Sequence, residues 1–124
     1  MKRLFHIYMV ALFLPAIAAA DDMGQLMQET KRVGVPEPAI EAIVKRAQAK
    51  GLSEDSIASL LKVVCDAGRQ RLYLEPILDK IHEGLAKNAR PDVIERVSRR
   101  VMARVAEAEE SLEGFLPSLP HKHM

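Results

Sequence analysis

Tryptophan is absent, cysteine occurs once, as Cys65, and the aromatic residues are two tyrosines and three phenylalanines. Each scarcity excludes something. One cysteine excludes an intramolecular disulfide framework and any site of paired, metal-spaced thiolates. Few aromatics mean that a core must be built from Leu, Ile, Val, Ala and Met. Charge of one sign is also missing: 18 basic residues face 17 acidic ones. That balance argues against a protein that coats nucleic acid, which needs a strongly basic face. There is no glycine-rich phosphate cradle, no His-Glu-x-x-His and no nucleophile-elbow serine. Carboxylates are plentiful, but they fall at helix starts or four residues from a Lys or Arg, as in Glu41 with Lys45 and Glu83 with Lys87. Helix stability alone would place them there, and no enzyme is expected.

The one long apolar run is Leu4 to Ile17. Lys2 and Arg3 precede it, Pro15 lies near its end, and Ala18-Ala19-Ala20 leads into Asp21-Asp22. This basic, apolar, small-residue order is that of a secretory signal peptide cleaved after Ala20. A spanning helix wants about 20 predominantly apolar residues, and His6 and Pro15 interrupt this run. No later segment is apolar enough to span. The expected product is therefore a chain of the periplasm or secreted medium with no transmembrane segment. Losing Lys2 and Arg3 turns the formal charge from +1 to −1, and only Tyr73 and Phe115 remain as aromatics. The expected division is a leader over 1–20, one domain over 21–115 and a tail over 116–124.

The apolar spacing within the domain is helical. Met23, Leu26 and Met27 form a short stripe that stops at Gly34. Ile40, Ile43, Val44 and Ala47 repeat the one-face pattern after Pro36 and Pro38, with Gly51 as a stop. Ser53 is a candidate N-cap, followed by Glu54 and Asp55 at the positive end of the dipole. Ile57, Leu60, Leu61, Val64 and Cys65 continue that helix, and Gly68 is its expected end. Pro76 opens a stripe of Ile77, Leu78, Ile81 and Leu85, and Asn88 suits the left-handed conformation that ends a helix. The last helix starts at Pro91. Its seam runs through Ile94, Val97, Val101, Val105, Ala108, Leu112 and Phe115 to Gly114, with Pro117 and Pro120 beyond. No strand is expected. Short links place successive helices side by side, so the fold is all-α: a compact bundle of about five helices or a stack of helical hairpins. A faint echo relates residues 39–46 to 93–100, at an offset of 54.

Lys50-Gly51-Leu52-Ser53-Glu54 and Glu83-Gly84-Leu85-Ala86-Lys87 resemble stretches of uncharacterised small exported helical proteins of bacteria, over residues 35–100. The resemblance implies a helical fold and a periplasmic setting. It brings no activity and no functional residues.

Four groups of residues are candidates for function. Cys65 lies on an apolar stripe near a helix C-terminus, where the dipole disfavours a thiolate. A buried small hydrophobe and an intermolecular disulfide are its two readings. His121 and His123, beside Met124, are weak candidates for a soft metal, with His82 as a third ligand only if the tail folds back; no cofactor is expected. Arg96, Arg99, Arg100 and Arg104 share one side of the last helix and suit an anionic surface such as lipid headgroups. A solvated face, neutralised by Glu95, Glu107, Glu109 and Glu110, is the plainer reading. Finally, the last seam outruns the other helices, so Val105, Leu112 and Phe115 lack an obvious internal partner. Exposed apolar strips mark interfaces. The expected function is therefore non-catalytic protein contact, by self-association or as an accessory subunit. Binding of a small ligand, lipid or metal is the alternative, with Met23, Met27 and Met102 as adaptable apolar contacts.

Overall fold

The computed structural model describes residues 22–115. Helix α1 covers residues 22–32, α2 Glu37–Ala49, α3 Glu54–Arg69, α4 Glu75–Ala86 and α5 Pro91–Phe115, with no strand among the described residues. The all-α expectation holds. The expected leader and the expected tail, with His121 and His123, lie outside the described residues.

Helix starts follow the local chemistry. The Ser53 hydroxyl accepts the Ser56 backbone N–H at 3.2 Å, capping α3. Pro36 sits extended at the N-cap of α2, with Pro38 just inside the first turn. Pro76 takes the same place in α4, where a missing N–H costs nothing.

Four helix ends share one device. Gly34, Gly51, Arg71 and Asn88 have φ of 107°, 80°, 60° and 58°. In each case the following N–H donates back across the turn: Val35 to Thr30 O, Leu52 to Ala47 O, Leu72 to Ala67 O and Ala89 to Gly84 O, at 3.0–3.2 Å. This is the Schellman arrangement, in which a left-handed residue is followed by an apolar one that packs inward. Val35 is buried, and Leu52, Leu72 and Ala89 pack against the core.

Gly68, expected to end α3, does not. It lies within the helix, and Arg71 makes the reversal. A Cβ on Gly68 would lie 2.8 Å from Val33 Cγ2 and 3.1 Å from Val35 Cγ2. The glycine permits close approach of the α1–α2 corner.

Packing follows an order. α2 packs on α3 and α4, α3 on α4 and α5, and α4 on α5, while α2 and α5 do not meet. Met23, Leu26 and Met27 bring α1 onto the same core. The five helices form a compact bundle in which α5 packs most extensively on α4 and α3. The left-handed caps recur at one interval, 34 to 71 and 51 to 88. The 54-residue echo instead relates α2 to α5, which occupy non-equivalent places; it reflects amphipathicity alone. At the centre lies α3, whose Leu60, Leu61, Val63 and Val64 are fully buried.

Candidate interaction surface on the last helix

The first half of α5 is anchored. Ile94 is buried, and its Cγ1 comes so close to Gly84 that a Cβ there would lie at 2.7 Å. Ser98 is also fully buried, and its hydroxyl donates to Ile94 O at 2.7 Å and Glu95 O at 3.0 Å. A polar atom in the core thus has its partners within the helix. Val101 and Met102 are the last α5 side chains packed against the core.

The second half continues without such cover. Twenty-five residues span about 37 Å at 1.5 Å per residue, whereas α3 and α4 have 16 and 12 residues. Among the described residues one polar tie holds this half: the Tyr73 backbone N–H donates to the Glu109 carboxylate at 2.8 Å. The Tyr73 hydroxyl donates to Glu75 at 2.8 Å, and that bond holds the phenol proton above its ordinary range. Tyr73 and Leu112 are the two large hydrophobics left exposed among the described residues, at 61% and 56%. Leu112 is about one turn beyond Glu109, so both flank the same tie. Val105 is half-buried but outside the core packing. The Phe115 side chain lies outside what is described. Tyr73 was not evident from the sequence, because a single aromatic in a loop carries no periodicity. Its partner Glu109 reads as an ordinary solvated acid.

The arginine stripe divides. Arg99 is drawn into a chain of alternating charges that crosses three helices. Arg32 and Arg69 both bind Glu29, the latter at 2.8 Å. Arg69 also reaches Asp66 at 3.5 Å, and Arg99 joins Asp66 at 3.1 Å to Glu95 at 3.5 Å. Hydrogen bonds from Arg32 and then Arg69 hold the Glu29 carboxyl below its ordinary range, and the same Glu29 bond raises Arg69. The chain ties α1 to α3 and α3 to α5, so Arg99 is unsuited to a free basic face. Arg96, Arg100 and Arg104 remain exposed and make no ion pair among the described residues. Glu107 and Glu110 are exposed and equally unpaired there, so the expected local neutralisation forms only between Glu95 and Arg99. Glu41 and Lys45 likewise do not pair within 4.0 Å, whereas Glu83 pairs with Lys87 at 2.9 Å.

Cys65 is buried in α3, with its sulfur 3.8 Å from an Arg69 guanidinium nitrogen. A disulfide to another chain would require that face to open. His82 is half-buried in α4, and burial and then Arg46 hold its imidazole below the ordinary range. Among the described residues no three metal-ligating side chains cluster. No helix there is long and apolar enough to cross a membrane. An open cleft of about 1060 Å³ separates α1 from the start of α3, lined by Met23, Leu26, Glu29, Glu54, Ala58 and Lys62 among others. No buried side-chain N or O among the described residues lacks a hydrogen-bond partner. No protein-family model, curated protein or solved structure matches the chain.

Proposed function

We propose that this is an exported, non-catalytic helical module that works through protein contact at the second half of α5. The observation that carries the reading is Leu112, 56% exposed on the half of α5 that outruns its neighbours. Tyr73, also exposed, is tied through its backbone N–H to Glu109 of the same half. Exposed tyrosine and leucine side chains suit an interface, because each buries much apolar area on docking. The leader sequence is the basis for export, and Arg96, Arg100 and Arg104 are available to an acidic partner surface. Crosslinking in cells that carry the full-length gene tests the reading. Wild-type protein should yield a defined adduct, and Leu112→Glu should abolish it with the helical circular dichroism unchanged. An adduct pattern unaffected by Leu112→Glu and Tyr73→Ala would end it.

The cleft between α1 and α3 supports a second reading, binding of an apolar ligand against Met23 and Leu26. Its exposed, charged walls favour it less. Native mass spectrometry of protein taken from its own compartment would reveal a retained mass, and a bare chain would remove this reading.

A further inference from the structure

The first half of α5 carries a row of arginines that its own fold does not explain. Arg96, Arg100 and Arg104 are exposed and make no ion pair among the described residues. They lie four residues apart, so they stand in single file over about 12 Å at 1.5 Å per residue. At about 100° per residue they project within an arc of roughly 80°. Widened to roughly 120°, the arc over residues 93–104 also holds Val93, Val97 and Ala103, and no acid. Asp92 and Glu95 lie outside it and pair with Arg90 and Arg99. Glu107, about one turn beyond Arg104, is the first acid to share the arc.

Two observations separate this row from an ordinary solvated face. Like charges four residues apart on a helix repel, and the row holds two such contacts, Arg96 with Arg100 and Arg100 with Arg104. Helix stability would set an acid against a base there, as it does with Glu83 and Lys87. The second observation is the place of the row in the fold. The left-handed caps recur at an interval of 37 residues, 34 to 71 and 51 to 88. The same interval carries buried Ile57 of α3 onto buried Ile94 of α5. It carries buried Leu60, Val63 and Ala67 onto Val97, Arg100 and Arg104. A face that α3 buries is thus a face that α5 leaves to solvent, with two arginines on it. An apolar helix could cover it only by stranding those charges, so its complement is anionic.

We propose that this row holds the protein, weakly and reversibly, against the anionic phospholipid headgroups of a bilayer. Such headgroups form a continuous negative surface, and a straight file of guanidinium groups on an outer helix meets several phosphates at once. Each arginine near the surface strengthens attachment about fivefold, and Glu107 gives part of this back. The contact is therefore peripheral and sensitive to salt. The choice of lipid rests on the export reading, which sets the chain beside a bilayer. The near balance of 18 basic and 17 acidic residues argues against nucleic acid as the polyanion. Leu112 projects about 120° away from Arg100, so attachment leaves the protein-contact site free.

The test is co-sedimentation of the chain, purified in the form its host accumulates, with vesicles at low salt, where screening is weak. One set is phosphatidylcholine alone and the other contains about one third phosphatidylglycerol. The wild type should pellet only with the anionic set and should be released as salt rises past about 0.15 M. Arg96→Gln with Arg100→Gln and Arg104→Gln should weaken binding about tenfold or more. Lys45→Gln with Arg46→Gln and Lys62→Gln removes the same charge from exposed sites on α2 and α3 and should change binding by less than about threefold, because the attraction fades within a Debye length. Glu107→Gln should strengthen it. All seven sites are exposed, so circular dichroism should match the wild type throughout. Inorganic phosphate at matched ionic strength should compete no better than chloride. Stronger competition would make the row a site for a free anion and would overturn the lipid assignment. Equal losses from the two triple variants, or indifference to phosphatidylglycerol, overturn the proposal; indifference would leave the row to an acidic protein surface. Leu112→Ser should not alter vesicle binding, so this inference and the protein-contact reading fail separately.

Discussion

Helices α3 and α5 carry similar apolar seams and meet opposite fates. Ile57, Leu60, Leu61, Val63, Val64, Cys65, Ala67 and Gly68 of α3 are all buried, because α2, α4 and α5 all pack on it. In α5 only Ile94 and Ser98 reach that state among the described residues. Its seam continues past Met102 to an exposed Leu112. The comparison teaches that an amphipathic stripe announces a surface needing cover and does not say what provides it. In α3 the cover comes from the same chain. In α5 half of the stripe is left for something else.

The sharpest way to break the comparison is truncation at matched leucines. Leu61→Ala in the centre of α3 should cost about 3 kcal/mol, the lost transfer energy plus a cavity, measured by urea unfolding. If Leu61→Ala and Leu112→Ala cost the same, the contrast between the two helices is wrong. Next is the join between α4 and α5. Gly84→Val pushes branched carbons into Ile94, already too close for one Cβ, and should cost about 2 kcal/mol by overpacking and strain. A neutral result would mean that α5 slides freely on α4.

A smaller effect, of opposite sign, concerns Arg71, which holds φ of 60° where Gly34 and Gly51 serve elsewhere. Arg71→Gly should stabilise the fold by about 0.5–1 kcal/mol by relieving left-handed strain. Loss of stability would show that the arginine side chain contributes more than the backbone costs.

Acid titration separates two further groups. His82 titrates below its ordinary 6.5 because of burial and then Arg46. The unfolded chain therefore binds more protons in weak acid, and stability falls as pH drops below that ordinary value. His82→Gln should flatten the decline in Tm between about pH 7 and 5; an unchanged slope would remove His82 as its cause. Glu83 acts in another window. Lys87 and then Lys80 hold it down to about 2 from 4.5, so its contribution is complete above 4.5 and is lost as pH falls through about 2. The smallest expected effect is Leu112→Ala on stability, within about 0.5 kcal/mol for an exposed side chain, although the same residue is central to the proposed contact.

Much of the fold was legible. Ile40, Ile43, Ile57, Leu60, Ile81 and Leu85 announce helices by spacing, and Ser53, Gly34, Gly51 and Asn88 mark their ends. Gly68 misled because glycine serves two purposes, a left-handed turn and the admission of a neighbour. Which one applies depends on Val33 and Val35, remote in sequence. Arg71 was missed for the converse reason, since arginine rarely adopts positive φ. The apolar residue after each cap was the available signal: Val35, Leu52, Leu72 and Ala89 recur with it. Of the candidate surface, the overhang at Leu112 was legible from length alone. Tyr73 was not, nor was the withdrawal of Arg99 from the basic stripe, because Asp66 lies on another helix.

By itself the sequence determined what depends on neighbours along the chain. Helical periodicity and the caps follow from side chains within a few residues of one another. The tertiary structure decided which seams are covered, which arginines are bound and which large hydrophobics stay exposed. Those outcomes depend on how far each helix extends beside the next, a relation between distant segments that local propensity does not encode. Among the described residues the packing buries α3 along its length and leaves Leu112 of α5 exposed.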